Sequence, residues 1–180
     1  MGGAQDSDLL KTPFSYDKMK DLQAFDDTKA GVKGLLDSGI PKLPNIFIRP
    51  SEELSEELNH RSSNIELPVI DLDGLHKADQ RSQIVDQLKI ASESWGFFQV
   101  INHGIPVNVL DNMINGVQRF HEEDHEVKKQ YYSRDQTRKV RFNSNFDLYK
   151  ARTANWRDTL GISLPDSYQL DPSELPVACR

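Results

Sequence analysis

A chain of 180 residues, with 37% hydrophobic and 28% charged residues and a mean hydropathy of −0.63, has room for one real core and not for two comfortable ones. Its net charge of −6, with no basic stripe, disfavours nucleic acid and anionic membranes as general partners. The single cysteine, Cys179, excludes an intrachain disulfide and suits a reducing compartment.

Residues 1–15 read as a disordered lead with neither a basic n-region nor an apolar h-region, so no secretory signal is expected. Met1-Gly2 opens like a myristoylation site, but Asp6 stands where that motif takes Ser or Thr. No apolar run approaches the roughly 20 residues of a membrane span, and the expected location is cytoplasmic.

From Tyr16 to Asp37 the pattern predicts one or two short helices, with Met19, Leu22 and Phe25 on one face and a stop at Gly39. Prolines 41, 44 and 50 predict an extended, irregular stretch, and the acidic residues 51–66 a mobile loop. Residues 67–72, LPVIDL, read as a strand. A helix over 79–95 follows, with Ile84, Leu88, Ala91 and Trp95 at helical spacing and Gly96 to end it. Phe97 to Ile101 reads as a buried strand, and Trp95, Phe97 and Phe98 as core.

Asn102-His103-Gly104 makes a turn and Pro106 opens a helix bearing Leu110, Met113, Ile114, Val117 and Phe120 on one face. A further helical stretch is expected to reach about Tyr132. Strands follow at 139–146 and 157–164. The tail 165–180, with Pro172 and Pro176, reads as a linker.

The run WGFFQVINHGIP at 95–106 resembles the hallmark of the amino-terminal region of plant 2-oxoglutarate/Fe(II)-dependent dioxygenases. LPVIDL at 67–72, EVKKQYYSRD at 126–135 and NFDLYKARTANWRDTL at 145–160 are similar to the same family in the same order. GVKGLLDSGIPKLPNIFIRP at 31–50 is most like the 1-aminocyclopropane-1-carboxylate oxidase homologues and deacetoxyvindoline 4-hydroxylase-like proteins. The resemblance implies an α+β chain: the amino-terminal helical and short-strand region of a double-stranded β-helix (jelly roll), with most of the jelly roll missing. On that reading residues 67–164 form the dioxygenase amino-terminal α+β domain, 16–66 precede it as short helices and a Pro-rich loop segment, and 165–180 lead towards the absent jelly roll. Full-length relatives oxidise small molecules, in secondary metabolism or hormone pathways, with Fe(II), 2-oxoglutarate and O₂.

In the family a His-x-Asp pair and a distant His hold the iron, leaving open positions for co-substrate and O₂. Arg-x-Ser after the distal His, with a Tyr before the pair, binds 2-oxoglutarate. The five histidines here, at 60, 76, 103, 121 and 125, include none followed two residues later by Asp. His121-Glu122-Glu123 is a literal His-x-Glu. In a helix two residues turn through about 200°, so its side chains diverge, whereas a facial pair needs an extended backbone. His121-Glu122-Glu123-Asp124-His125 also spells HExxH, whose i, i+4 histidines would share a helix face in a zinc hydrolase. Two acidic middle residues and the lack of a third ligand downstream speak against it. Family members commonly carry a proline turn near position 124, which puts the local turn in doubt.

The expectation is therefore a chain that stops before the metal site, binds neither Fe(II) nor 2-oxoglutarate and does not turn over by itself. It could serve instead as a non-catalytic module associating with an intact relative or with itself, or as an incomplete gene product. His103 reads as a hydrogen-bonded turn residue. Lys128, Lys129, Arg134, Arg138, Lys139 and Arg141 read as a solvated face. By resemblance alone Arg141, Phe142, Asn145 and Phe146 lie on a strand near the substrate mouth, with no residue-level motif to carry over.

Overall fold

The computed structural model describes residues 16–59, 66–164 and 170–180, and the expected disordered lead at 1–15 lies outside them. Short helices alternate with short strands, in two units: residues 1–49 with 117–180, and residues 50–116.

In the first unit, Asp17 caps α1 (Lys18–Thr28) by accepting the Lys20 amide at 3.1 Å. Leu22 and Phe25, one helical turn apart, are buried, while Met19, expected on the same face, is exposed. α2 (Gly31–Asp37) follows at once and ends before Gly39, whose φ of 68° suits a residue without a Cβ. The proline-rich stretch is not wholly extended. A 3₁₀ turn at Asn45–Phe47 turns Ile46 and Phe47 inward, and Phe47 meets Phe25 edge-on at 5.4 Å.

The antiparallel hairpin of β3 (Val140–Ser144) and β4 (Asp158–Ile162) supplies the other side of this unit, and both strands fall where the sequence placed them. Phe142, wholly buried, makes T-shaped contacts with Phe120 and Tyr132. Residues 170–180, expected as a linker, carry 3₁₀ turns at Pro172–Glu174 and Val177–Cys179. The second of these buries Cys179 in the Phe120–Phe142 cluster.

In the second unit, α3 (Ser51–Asn59) replaces the loop expected there. Its sequence SEELSEELN is rich in helix formers, and Glu52 and Glu53 sit favourably at the positive end of the helix dipole. Further along, β1 (Val69–Asp71), α4 (Ala78–Ser94) and β2 (Gln99–Ile101) form a β-α-β unit with parallel strands. Ile70, Ile84 and Ala91 are its buried centre, with Leu88 and Phe98 packed against them.

The buried strand expected over 97–101 is corrected on two counts. Only 99–101 pair, and all three residues are exposed, as are Trp95 at 40% and Phe97 at 59%. An apolar, β-branched run encodes a capacity to be covered, and no element among the described residues covers this one.

α5 (Val107–Glu122) is followed by α6 (His125–Lys129), a further helical stretch as expected but one that stops short of Tyr132. Asp124 separates them: with φ −52° and ψ 145° it leaves helical space, and its carboxylate accepts the Glu126 amide at 2.9 Å to start α6. That φ is one a proline adopts, so Asp124 holds the turn that family members commonly build with proline.

Gly31 combines a left-handed backbone with a crowded Cβ position. Its φ is 71°, and an added Cβ would lie 2.5 Å from Oδ1 of Asp158, the carboxylate that accepts the Val32 and Lys33 amides at 2.8 and 3.0 Å. Gly31→Ala should destabilise the protein by about 2–3 kcal/mol in urea unfolding, because strain and a clash with a fixed carboxylate add. Gly39→Ala, which meets open space, should cost less by that assay.

Candidate functional site

The chemistry-bearing residues singled out by sequence gather at the α5–α6 junction and on β3. His121 is the penultimate residue of α5 and His125 the first of α6, so the HExxH residues do not share one helix. His121 is half-buried, edge-on to Phe120 at 5.4 Å and Phe142 at 5.9 Å. Burial pushes its pKa down, and Lys128 adds to that, against Asp158 and Glu122 acting the other way. Glu122 reaches Lys33 at 3.3 Å instead of turning towards His121. His125 lies 3.9 Å from Glu126, and its Nδ1 is buried without a hydrogen-bond partner. Among the described residues no group of three or more His, Cys, Asp or Glu side chains could hold a metal ion. His60 lies outside the described residues. His103 is a turn residue, its Nδ1 accepting the Ile105 amide at 3.0 Å.

The expected solvated basic face is corrected in part. Lys128 is buried, and its ammonium donates to the His121 carbonyl at 2.9 Å, satisfying a free carbonyl at the end of α5. Arg134 is half-buried, with every donor atom engaged. Lys129, Arg138 and Lys139 are exposed, as expected, and Lys139 pairs with Glu174 at 3.2 Å. Charge alone could not separate Lys128 and Arg134 from these neighbours, since burial depends on what the fold brings opposite each one.

Four strand residues had been expected near a substrate mouth. Phe142 and Asn145 are buried within their own unit. Asn145, at φ 55°, clamps the loop before β4: its Nδ2 donates to the Asn155 carbonyl at 2.6 Å and its Oδ1 accepts the Asn155 amide at 2.5 Å. Phe146 is 77% exposed. Arg141 is half-exposed, donating to the Arg138 carbonyl at 3.1 Å and the Ser163 hydroxyl at 3.2 Å.

The most connected polar cluster was missed by sequence reasoning. Asp26, on α1, accepts hydrogen bonds from Arg134 Nε at 2.7 Å, from Tyr149 Oη at 2.8 Å and from Tyr132 Oη. Arg134 continues to the Asn145 and Ser144 carbonyls at 2.7 and 2.9 Å. Burial raises the Asp26 pKa, but the hydrogen bonds from Arg134, Tyr132 and Tyr149, with the guanidinium charge, outweigh it and hold the carboxyl below the usual aspartate value. Burial, reinforced by Asp26, pushes the Tyr149 phenol up to about 12 and Tyr132 higher still. At neutral pH this set is one carboxylate, one guanidinium and two neutral phenols. Such a set fixes positions and has no group poised to exchange protons near pH 7. The sequence signal was present only as a Y-x-R pair beside aromatic residues, and nothing in it pointed over a hundred residues back to Asp26.

Residues 67–176 match the family described as non-haem dioxygenase in morphine synthesis, N-terminal. The chain belongs to the plant 2-oxoglutarate/Fe(II)-dependent dioxygenase family. It is 50% identical over 171 residues to a 1-aminocyclopropane-1-carboxylate oxidase homologue of Solanum lycopersicum, covering 92% of this chain and 45% of that protein. Homologue 1 of Arabidopsis thaliana is 48% identical, with 92% and 45% covered. Deacetoxyvindoline 4-hydroxylase of Catharanthus roseus is 46% identical, with 91% and 41% covered. The chain thus spans less than half the length of these dioxygenase relatives. The family's metal does not fit the residues at the α5–α6 junction, where aromatic packing, an ion pair and a helix break hold His121, Glu122 and His125 apart in role.

Asp26→Asn should lower stability at pH 7 by about 2 kcal/mol, since it leaves the Arg134 charge without its partner. The Asp26 pKa is depressed by folding. The gap between wild type and variant should therefore be full above the unfolded aspartate value of about 3.9 and close as pH falls through the lower folded value. Urea unfolding from pH 7 to pH 2 measures it.

Proposed function

We propose that this chain forms the amino-terminal region of an oxidoreductase that hydroxylates or otherwise oxidises a small molecule with Fe(II), 2-oxoglutarate and O₂, and that the 180-residue polypeptide alone binds neither iron nor 2-oxoglutarate. The family match over 67–176 carries the first part of this reading. The second is supported by the break at Asp124, which removes the helical geometry an HExxH site needs, and by the other roles of His121 and Glu122. Within such an enzyme the hairpin β3–β4 would present Arg141 and Phe146 towards the substrate mouth, with Phe142 and Asn145 holding the strand and loop behind them. When bound, the iron and co-substrate supply the oxidising chemistry; this region supplies the scaffold beside it.

Anaerobic titration of the 180-residue polypeptide with Fe(II) in the presence of 2-oxoglutarate should give no visible metal-to-ligand charge-transfer band. A stoichiometric band would overturn the reading. In a full-length family member, replacing the residue aligned with Phe146 by Ala should raise KM more than it lowers kcat if that side chain borders the mouth, and steady-state kinetics decides this.

A further inference from the structure

His121, one residue from the end of α5, sets its ring edge-on to Phe120 at 5.4 Å and to Phe142 at 5.9 Å, at the border of the aromatic cluster that also buries Cys179. Its own carbonyl accepts the ammonium of Lys128, which reaches back from α6 at 2.9 Å and is only 2% exposed. One residue therefore gives the core an aromatic ring and gives a buried cation its acceptor, and the chain bends at Asp124 between the two. The charges facing the ring are Asp158 from β4, Lys128 from α6 and Glu122 from its own helix, while β3 meets it with Phe142. Both carboxylates are committed elsewhere. Glu122 receives Lys33 of α2 at 3.3 Å, and Asp158 holds the Val32 and Lys33 amides and the Ser144 hydroxyl.

We propose that the α5–α6 junction is a proton-sensitive latch: a proton taken up by His121 sets a second cation near the buried Lys128 ammonium, loosens α6 from the end of α5 and opens the aromatic cluster around Phe120. The cost of that proton has two physical sources. An imidazolium against Phe120 and Phe142 gives up water that the phenyl rings do not replace, and it repels an ammonium that is itself out of water. Burial, with Lys128 adding to it, accordingly holds the His121 pKa below the usual histidine value, against the pull of Asp158 and Glu122. A histidine depressed in this way stabilises the fold fully above its unfolded value of about 6.5, and that contribution is lost as pH falls through the lower folded value. The latch is closed at neutral pH and opens in mild acid, where Asp26, held below the usual aspartate value, is still ionised.

Cys179, buried in the same cluster and the chain's single cysteine, reports the opening. The test is its rate of reaction with a dipyridyl disulfide in the 180-residue chain, taken at each pH relative to the rate in the urea-unfolded chain so that the thiol's own titration cancels. This protection should fall at least fivefold between pH 7.5 and pH 5, starting near pH 6.5. His121→Phe, which keeps an aromatic ring at the site and cannot take the proton, should hold its protection across that range. His125→Gln, which removes the imidazole 3.9 Å from Glu126, should follow the wild type. Constant protection in the wild type overturns the proposal, as does an equal fall in His121→Phe or the loss of the response in His125→Gln. Should His121→Phe not fold, titration of the His121 ring by NMR in the wild type decides. A midpoint below about 6.5, where the loss of protection also levels off, supports the latch, and a midpoint at or above that value overturns it. Neither readout involves iron, co-substrate or turnover, so failure of the activity reading leaves this result standing.

Discussion

A carboxylate removed from water must be met by donors, and Asp26 is met by three: the Arg134 guanidinium and the hydroxyls of Tyr132 and Tyr149. The donors come from two stretches of backbone, Tyr132 and Arg134 after α6 and Tyr149 between β3 and β4, so satisfying one charge on α1 ties three parts of the chain together. Arg134 extends the constraint by donating to the carbonyls of Ser144 and Asn145, where β3 ends and the chain turns. The aromatic cluster of Phe120, Tyr131, Tyr132 and Phe142 then packs on a framework whose polar links are already set.

Asp158 repeats the device on a smaller scale. Its carboxylate receives the first amides of α2 and the Ser144 hydroxyl, and Gly31 is the residue that lets the helix start so close. The two acids share a logic: an anion at the edge of the core gathers donors from far along the sequence. The consequence is a β3–β4 hairpin tied on both sides, with Phe146 and part of Arg141 outward.

Much of the local structure was legible because local physics dominates it. Leu22 and Phe25 on α1, the stop at Gly39, the extent of α4 and the two strands of the hairpin follow from periodicity and from residues with special backbone freedom. The acidic stretch 51–59 was misread because its polarity suggested a loop while its Glu and Leu content favours helix. A second helical stretch after α5 was expected, but not that Asp124 caps it, since Asp is tolerated at the end of a helix and at the start of the next. Phe97, Val100 and Ile101 show the limit of hydrophobicity as a signal: it encodes the capacity for burial, not the presence of a cover.

The sequence by itself determined the lineage, the type of most elements and the one-sided face of α5, because motifs and 3.6-residue periodicity are properties of neighbours in the chain. Only the tertiary structure decided that Lys128 and Arg134 are internal while Lys129 is not. It also decided that Asp26 answers Arg134 and that His121 and His125 stand on separate helices. Those outcomes depend on which distant groups meet in a low-dielectric interior. A charge or an imidazole carries no mark of its future partner until the backbone brings the two within hydrogen-bond reach.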